Sequence, residues 1–425
     1  MTPKVAKDEI LVEGKIYSAE NLAQSHPGGK LFVRAFAGLD ASTAFLTYHR
    51  RKFPHSRAKN ALKEDGEDSN NPEGWDEEYL ELCRLVEKVI PRMKSFAPWY
   101  YYVKVAIILS MAVSIEYYMH KNVFYHPLLC GFLGYIFAVI GLNIQHDANH
   151  GAISRRPLVN RILGMSQNWI GGSAINWIHQ HVVQHHIHTN DIDQDPDMDG
   201  GILIRINAKT PLMKFHIVQH IYFFFLLSFY GFSVVIRSLL NVIVGKHFTP
   251  MSSLFKKYRV IEVFSSVFFI LRLMVFPIYQ APEIQTVLSL SLMFIVAGYY
   301  LSLFFAISHN FEGVEMNMKN AKSSSILRTQ VATSSNVGGE ILCFLNGGLN
   351  YQIEHHLFPR ISHCHYPKIA PVVRQFCEER NIPYVHFPSV LDNINSAIKH
   401  LVFMGGNAEP FPELNTHILA SKLQS

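Results

Sequence analysis

Long apolar segments are the feature that most constrains how this chain can fold. Five of them lie near residues 103–119, 127–145, 221–236, 260–279 and 286–308, each near the length that crosses the hydrocarbon core of a bilayer. Hydrophobic residues make up 49% of the 425 residues, which leans toward the membrane without matching a chain that lies wholly in lipid. We therefore expect a membrane protein with a substantial water-exposed part.

The charges that flank the apolar segments predict their orientation. The connections at 120–126 and 280–286 hold a single lysine between them, whereas cations such as Arg155, Arg156 and Lys256 crowd the opposite ends. By the positive-inside rule, the two short connections are lumenal. The sequence thus predicts two helical hairpins with both ends on the cytosolic side.

Two features of this membrane region need their own interpretation. The segment 221–236 has cations on both sides, so we predict that it lies in the cytosolic interface and that four segments span the bilayer. Arg272 falls inside the third span, where a guanidinium must find a partner or water. We expect the structure to supply one.

The chain divides into four parts by composition. Residues 8–62 alternate short apolar runs with turns, and the acidic, Asn- and Gly-containing stretch that follows has little to bury. We expect a small soluble domain over 8–62, a linker and connecting helix over 63–96, an all-α membrane domain with a histidine-rich cap over 97–400, and a tail over 401–425.

Charge and cysteine usage argue against several other classes of protein. A net charge of +5, without a dense Lys/Arg stripe interleaved with aromatics, is weak for a nucleic-acid binder. The five cysteines form no CxxC pair, which favours a reducing, cytosol-facing chain over a disulfide framework or a zinc knuckle. The first twenty residues lack the apolar core of a signal peptide, so the N-terminus is expected in the cytosol.

Histidines recur at helical spacing just beyond the predicted spans. In HDANH the two histidines are four residues apart, and HVVQHH repeats that spacing and adds an adjacent ring. QIEHH and a histidine at the end of the last span complete a set on the cytosolic side. The set is His146, His150, His181, His185, His186, His309, Gln352, His355 and His356.

The number of these side chains indicates two metal ions. Eight histidines and one glutamine are too many ligands for one centre and enough for two. Imidazole alone does not choose between iron, copper, zinc and nickel. Because two irons can share the electrons that reduce oxygen and zinc has no redox chemistry, iron is favoured.

Other histidines near these motifs are expected to have ordinary structural roles. His179 and His188 flank the second motif, and His363 and His365 follow the third. Their spacing fits no helical face shared with the predicted ligands. We therefore expect them to pack or to form hydrogen bonds.

The acidic residues near the motifs are expected to support the histidines. The acids at 191–199 lack the glycine and the terminal glutamate of an EF-hand calcium loop. Capping of turns, or hydrogen bonds to ligand imidazoles, is the expected role. Asp147 and Glu354, inside the motifs, are expected to orient imidazoles in the same way.

The soluble N-terminal part contains two histidines, 23 residues apart, that could bind one iron ion together. His26 opens HPGG, and His49 follows DASTAF. Two histidines on separate short helices could ligate one iron axially, while the glycines let the backbone pass close to a flat macrocycle. The segment resembles the cytochrome b5 family, which implies an α+β domain with haem b held by His26 and His49. Two departures are a missing tryptophan at the start and Tyr48-His49-Arg50 in place of the common His-Ser.

The remainder, about residues 97–400, resembles the membrane fatty-acyl desaturases, whose three histidine boxes match HDANH, HVVQHH and QIEHH. A glutamine at the start of the third box, with a fused cytochrome b5 domain, is typical of the front-end desaturases. These enzymes insert a double bond between an existing one and the carboxyl end of a polyunsaturated chain. The resemblance implies that the nine residues of the set are the ligands of a di-iron centre.

The resemblance also implies a reaction and a cellular setting. NADH would reduce a separate cytochrome b5 reductase, which passes electrons through the fused haem to the irons, and the irons would use O2 to desaturate an acyl chain held in an apolar tunnel. The substrate is a phospholipid-bound chain or a coenzyme A ester, with delta-5 or delta-4 favoured and delta-6 or delta-8 possible. We expect an endoplasmic reticulum membrane protein whose N-terminus and histidine boxes face the cytosol.

Three other functions are open at this stage. A membrane fatty-acyl or lipid hydroxylase uses the same iron ligation, and only its product distinguishes it. A metal transporter would hold its ligands at mid-bilayer on broken helices, unlike these motifs beyond the span ends. An inactive electron carrier or scaffold is disfavoured because all three boxes are intact.

Overall fold

A small sheet-containing part precedes a larger helical part, which confirms the predicted fold class. The computed structural model describes residues 5–64, 76–244, 251–321 and 325–406. Much of the predicted linker and most of the predicted tail over 401–425 lie outside the described residues.

The N-terminal part is built on a three-stranded antiparallel sheet. Its strands are Glu9–Val12, Lys15–Ser18 and Leu62–Glu64, in that order. Glu13 and Gly14 join the first two strands with positive φ angles of 50° and 77°, as a two-residue hairpin turn requires. The helices of this part are Ala19–Ser25, Lys30–Ala35 and Ser42–His49, followed by single 3₁₀ turns at His55–Arg57 and Lys59–Ala61.

The predicted connecting helix forms over Glu77–Val89 and is followed by a 3₁₀ turn at Arg92–Lys94. Asp76 caps it, because its Oδ1 accepts a hydrogen bond from the backbone N–H of Tyr79 at 3.0 Å. The apolar face of this helix packs on the helix Tyr366–Glu379. The connecting helix therefore belongs to the core of the larger part.

Among the described residues, four helices are long and apolar enough to cross a membrane, as predicted. They are Arg92–Asn122, Pro127–Asn149, Phe255–Gln280 and Ile284–His309. Three of these helices are irregular. The first is interrupted just before Trp99, where a new helix begins after Pro98. The second contains a π-helical turn at Gly141–Gln145, and the third contains one at Leu271–Val275.

The two short connections between the spans lie at the same end of the bundle. The hydroxyl of Tyr125 donates to Oε1 of Gln280 at 2.5 Å, and Nε2 of Gln280 donates to the carbonyl of His120 at 3.1 Å. The hairpin scheme is confirmed in this respect. The chain between the hairpins forms the helices Gln219–Leu227 and Tyr230–Val244. The helical segments Lys214–Leu227 and Tyr230–Asn241 meet at a bend of 69°. The interfacial position of this part of the chain stays a prediction.

Arg272 has the partner that its position demands. Its Nε lies 3.1 Å from Oε2 of Glu116 in the first span, and both side chains are buried. The guanidinium stacks 3.6 Å from the ring centre of Trp169 and donates to the Trp169 carbonyl at 2.5 Å. The mid-span arginine therefore ties two spans and the cap together.

The remaining helices form a cap on one end of the bundle. Before the third span they are Pro157–Gly164, Ser166–Trp169, Ala174–Trp177, Ile178–His185, Pro196–Met198 and Lys214–Val218; after the fourth they are Val314–Ala321, Ile326–Ala332, Glu340–Asn346, Gln352–Leu357, His363–His365, Tyr366–Glu379 and Val390–Gly406. In the part of the cap that follows the fourth span, the strands Ser335–Val337 and Val385–Phe387 pair in parallel. The final helix continues beyond residue 400 because Leu401 and Met404 are buried.

We expect the Glu116→Ala substitution to destabilise the protein by roughly 3–5 kcal/mol, because it leaves the Arg272 charge buried without its carboxylate. The matched control is Glu378→Ala, which breaks an exposed pair with Arg374 and should change stability little. Urea unfolding in detergent, followed by circular dichroism, measures both. Equal stability of the two variants would show that the buried pair does not stabilise the bundle.

Candidate functional site

The histidine motifs converge in a buried cluster at the end of the bundle opposite the short connections. Among the described residues, their ring nitrogens form two all-histidine groups, in each of which one ligand atom per residue lies within 4.8 Å of every other; a third such group joins His181 and His185 to Asp197. The first group is His146, His150, His181 and His355, and the second is His185, His309 and His356. Every member is buried.

His186 lies between the two groups. Its Nε2 is 3.2 Å from Nε2 of His181 and 3.0 Å from Nε2 of His355, while its ring stacks on His356 with 4.3 Å between centroids. Imidazole nitrogens that bind one metal ion at about 2.0–2.1 Å lie roughly 3.0–3.4 Å apart. These separations are therefore the ones expected around a shared metal.

Gln352 completes the second group. Its amide nitrogen lies 2.9 Å from Nε2 of His309 and 3.2 Å from Nε2 of His356. Because amide oxygen and nitrogen are assigned from hydrogen bonding, the same position can present the oxygen to a metal ion. All nine residues predicted as ligands are thus brought together.

A π-helical turn explains how the second motif presents three rings. Residues Ile178–His185 are π-helical, and the backbone N–H of His186 bonds to the carbonyl of His181 at 3.0 Å. The five-residue repeat brings His186 close to His181, which an α-helix would not do. The α-helical spacing predicted for this motif is therefore wrong over Ile178–His185.

The buried rings are held in the neutral form that binds metal. Burial lowers the pKa of five cluster histidines well below the usual range: His150, His181, His186, His355 and His356. His185 differs, since burial opposes its charge but the Asp195 carboxylate raises its pKa above the usual value. Neutral imidazole is the ligand form.

The second ring nitrogens are fixed by neighbours around the cluster. Nδ1 of His185 lies 2.9 Å from Asp195, and Nδ1 of His355 lies 3.1 Å from the Tyr366 hydroxyl. The remaining contacts of this kind join His356 to Gln330 at 2.8 Å, His309 to the Thr333 carbonyl at 2.9 Å, and His150 to the Tyr48 hydroxyl at 2.8 Å. Such contacts set which nitrogen points inward.

The cluster fits metal ions by its unsatisfied atoms as well as by its spacing. Among the described residues, several nitrogens of the cluster and one amide oxygen are buried without a hydrogen-bond partner, and each such atom costs about 1–3 kcal/mol. They are both ring nitrogens of His146, Nε2 of His150, Nε2 of His185, Nδ1 of His186 and Oε1 of Gln352. Metal coordination would satisfy one nitrogen of His146 and the Nε2 atoms of His150 and His185.

The nearby histidines lie outside the two groups, as expected. His363 is hydrogen-bonded through Nδ1 to Asp147 at 2.9 Å, and His365 through Nε2 to the Phe96 carbonyl at 2.9 Å. The ring centre of His179 lies 6.5 Å from that of Phe255, and His188 is half-buried.

The acids divide into one supporting residue and others with different partners. Asp195 orients His185, as expected, and Asp197 lies near the same ring at 3.4 Å. Asp147 and Glu354 were predicted to orient imidazoles of the cluster, and this prediction is wrong. Asp147 binds His363, and Glu354 accepts hydrogen bonds from Asn336 and Tyr384 instead of from a cluster imidazole.

In the N-terminal part, His26 and His49 face each other across a cavity of about 920 Å³. Their ring centroids are 5.9 Å apart, close to the roughly 6 Å that two axial imidazoles on one iron need. Each Nδ1 contacts a backbone carbonyl, that of Gly29 at 2.8 Å and that of Phe45 at 3.1 Å, which leaves both Nε2 atoms for iron. The pair fits a haem.

Burial also keeps these two rings neutral. It lowers the pKa of His26, and together with the charge of Arg360 it lowers the pKa of His49 to about 3. Gly28 has a local steric role, because a Cβ there would lie 2.7 Å from Cε1 of His26. The HPGG turn therefore needs a glycine at this position.

The N-terminal part docks directly on the cap. Tyr17 and Phe36 share an apolar cluster with Ile178, Val182 and Phe255. The same cavity that separates His26 from His49 is also lined by His150 and Arg360. This interface is not predicted by the sequence, in which only a linker joins the two parts.

Comparison with known proteins agrees with these sites. Residues 122–388 match the family described as fatty acid desaturase, and residues 7–86 match the cytochrome b5-like haem/steroid binding domain. The chain belongs to the fatty acid desaturase family. Acyl-lipid (7-3)-desaturases from Rebecca salina and Diacronema lutheri are each 40% identical over 94% of this chain, covering 91% and 90% of their own lengths.

A more distant relative has the same extent. An acyl-lipid (8-3)-desaturase B from Dictyostelium discoideum is 27% identical over 94% of this chain and 91% of its own. This desaturase is therefore a front-end member with an N-terminal cytochrome b5-like domain, and an oxidoreductase. The transporter interpretation is set aside.

We expect His355→Ala to lose about half or more of the metal bound to this desaturase, since it removes a ligand from the first group. The matched control, His188→Ala, changes a half-buried histidine outside both groups and should retain the wild-type metal content. Plasma mass spectrometry of detergent-purified protein measures both. Equal metal loss in the two variants would contradict the assignment of the groups.

Proposed function

We propose that this desaturase inserts a double bond at carbon 4 of a polyunsaturated acyl chain in a membrane lipid, using O2. The observation that carries the proposal is the pair of buried histidine groups beside a bis-histidine haem site. His26 and His49 would hold haem b, and the nine residues of the cluster would hold two iron ions. When bound, the irons supply oxygen activation and the removal of hydrogen from neighbouring methylenes.

The electrons would enter through the N-terminal domain. His26 and His49 would hold the haem that accepts electrons, one at a time, from NADH by way of a separate cytochrome b5 reductase and supplies them to the cluster. The direct docking of the domain on the cap supports this route, because the two sites line one cavity.

Two aromatic side chains offer apolar walls for the reacting methylenes. The ring of Trp177 lies 4.4 Å from that of His181 and 5.4 Å from that of His146. Phe305 lies 5.7 Å from His181 and 5.4 Å from His185 on the other group. We propose that the acyl chain contacts these faces, which exclude water from the metal ions and position one pair of methylenes.

The position of the new double bond is proposed from the relatives. We interpret the printed name (7-3) as an existing double bond at carbon 7 and a new one three carbons nearer the carboxyl end. Their 40% identity favours carbon 4 over the carbon 5 that (8-3) indicates for the 27% relative. The same names favour an acyl lipid over a coenzyme A ester.

The membrane setting is part of the proposal. We propose the endoplasmic reticulum, with the N-terminus and the histidine boxes in the cytosol, since cations crowd the ends of the spans next to the cluster. In this orientation, a cytosolic reductase domain could reach the haem site.

The proposal predicts a defined product in yeast that expresses this desaturase. We expect fed polyunsaturated acids with a double bond at carbon 7 to gain one at carbon 4, while acids without a double bond at carbon 7 gain little. Gas chromatography with mass spectrometry locates the new bond. His181→Ala should abolish the product and leave the b-type haem spectrum intact.

Other products would change the proposal in distinct ways. A new bond at carbon 5, 6 or 8 would overturn the regiochemistry and keep the class of reaction. A hydroxylated acid would replace desaturation by hydroxylation. Full yield from His181→Ala would refute the metal assignment.

A further inference from the structure

The residue before the proposed haem ligand His49 contacts the histidine cluster. The hydroxyl oxygen of Tyr48 lies 2.8 Å from Nδ1 of His150, and the two rings are 6.3 Å apart. His49 and Tyr48 end the same helix, Ser42–His49. One helix terminus thus carries a residue of the haem site and a residue that reaches the metal site.

The contact fixes the orientation of the His150 ring. Nε2 of His150 is buried without a hydrogen-bond partner among the described residues, so it is the nitrogen available to a metal ion. Nδ1 then carries the proton and donates to the Tyr48 oxygen. Tyr48 therefore plays for His150 the part that Tyr366 plays for His355, but from the other domain.

Tyr48 itself is held by packing at the interface. Its ring lies 5.9 Å from that of Phe32, and Phe32 lies against Gly151, the residue after His150. Gly151 has a φ of +71°, and a Cβ added there would meet the Phe32 ring at 3.4 Å. The haem-binding domain thus fits closely over the end of the first histidine motif.

Other hydrogen bonds between the domains end on residues outside the cluster. Arg34 donates to the Tyr258 hydroxyl at 3.2 Å, and Arg50 donates to the Ser95 hydroxyl at 3.3 Å. These contacts hold the domain in place. The Tyr48 contact differs because the hydrogen-bond donor, Nδ1 of His150, belongs to a proposed metal ligand.

We propose that Tyr48 is the positioning residue that couples the haem site to the metal site. This inference rests on the proposed function. Tyr48 orients His150 and keeps the helix of His49 against it, so that one electron can leave a ferrous haem and reduce one ferric ion of the cluster. The reductase restores the ferrous haem, two such transfers accompany each double bond, and no bond of Tyr48 is broken.

The test is the rate at which a reduced haem loses its electron to the cluster. Full-length holoprotein is reduced at the haem by a stoichiometric amount of reductant without oxygen, and haem absorbance is followed by stopped flow. We expect Tyr48→Phe to slow this oxidation by about tenfold or more, as loss of a hydrogen bond to a metal ligand does. The haem spectrum and midpoint potential should stay those of the wild type.

Tyr17→Phe is a matched control. Tyr17 lies in the same domain, and its hydroxyl is 2.6 Å from Nδ1 of His55, a histidine outside both sites. The control removes the same kind of hydrogen bond and should transfer electrons at the wild-type rate. Tyr48→Phe keeps the ring that packs on Phe32, so the substitution tests the hydroxyl and not the fit of the domain.

Three outcomes would overturn the inference. A wild-type rate in Tyr48→Phe would show that the contact is not needed. A changed haem potential would place the effect of Tyr48 in the haem pocket, and equal slowing by Tyr17→Phe would make it a general effect on the domain. A wild-type protein without metal, or without electron loss from its haem, would instead contradict the proposed function.

Discussion

The crowding of eight imidazoles in one buried cluster is the constraint on which the rest of this structure depends. Burial lowers the pKa of His150, His355 and other rings of the cluster, which favours their neutral form, yet the hydrogen-bond partners among the described residues are too few to satisfy every buried nitrogen. The two metal ions that we propose would resolve this conflict, because each ion would replace several missing hydrogen bonds at once. The surrounding elements then orient the rings so that one nitrogen of each ring faces the centre of the cluster.

The elements that orient the rings come from different parts of the chain. A π-helical turn brings His181 and His186 together, and Asp195 and Tyr366 fix other rings from the cap. The cytochrome b5-like domain supplies Tyr48. The domain is therefore both the proposed electron donor and a structural neighbour of the metal site, which requires it to dock in one orientation.

Much of this could be predicted from the sequence, and the remainder depends on tertiary contacts. The four spans follow from apolar length and charge, and the spacing of the histidine motifs was enough to predict which side chains meet. The π-helical turn was not predicted, because the order of residues in this motif does not distinguish an α-helix from a π-helix. The partners of Asp147 and Glu354 were predicted wrongly, and the contact of Tyr48 with His150 was not predicted, because these contacts join distant segments.

The most direct test of the central claim is Mössbauer spectroscopy of desaturase purified with ⁵⁷Fe, after the haem contribution has been subtracted. The account predicts two iron ions per chain in nitrogen-rich sites at the cluster, close enough to be magnetically coupled. A single isolated iron, or full activity in protein whose cluster holds only zinc, would contradict it.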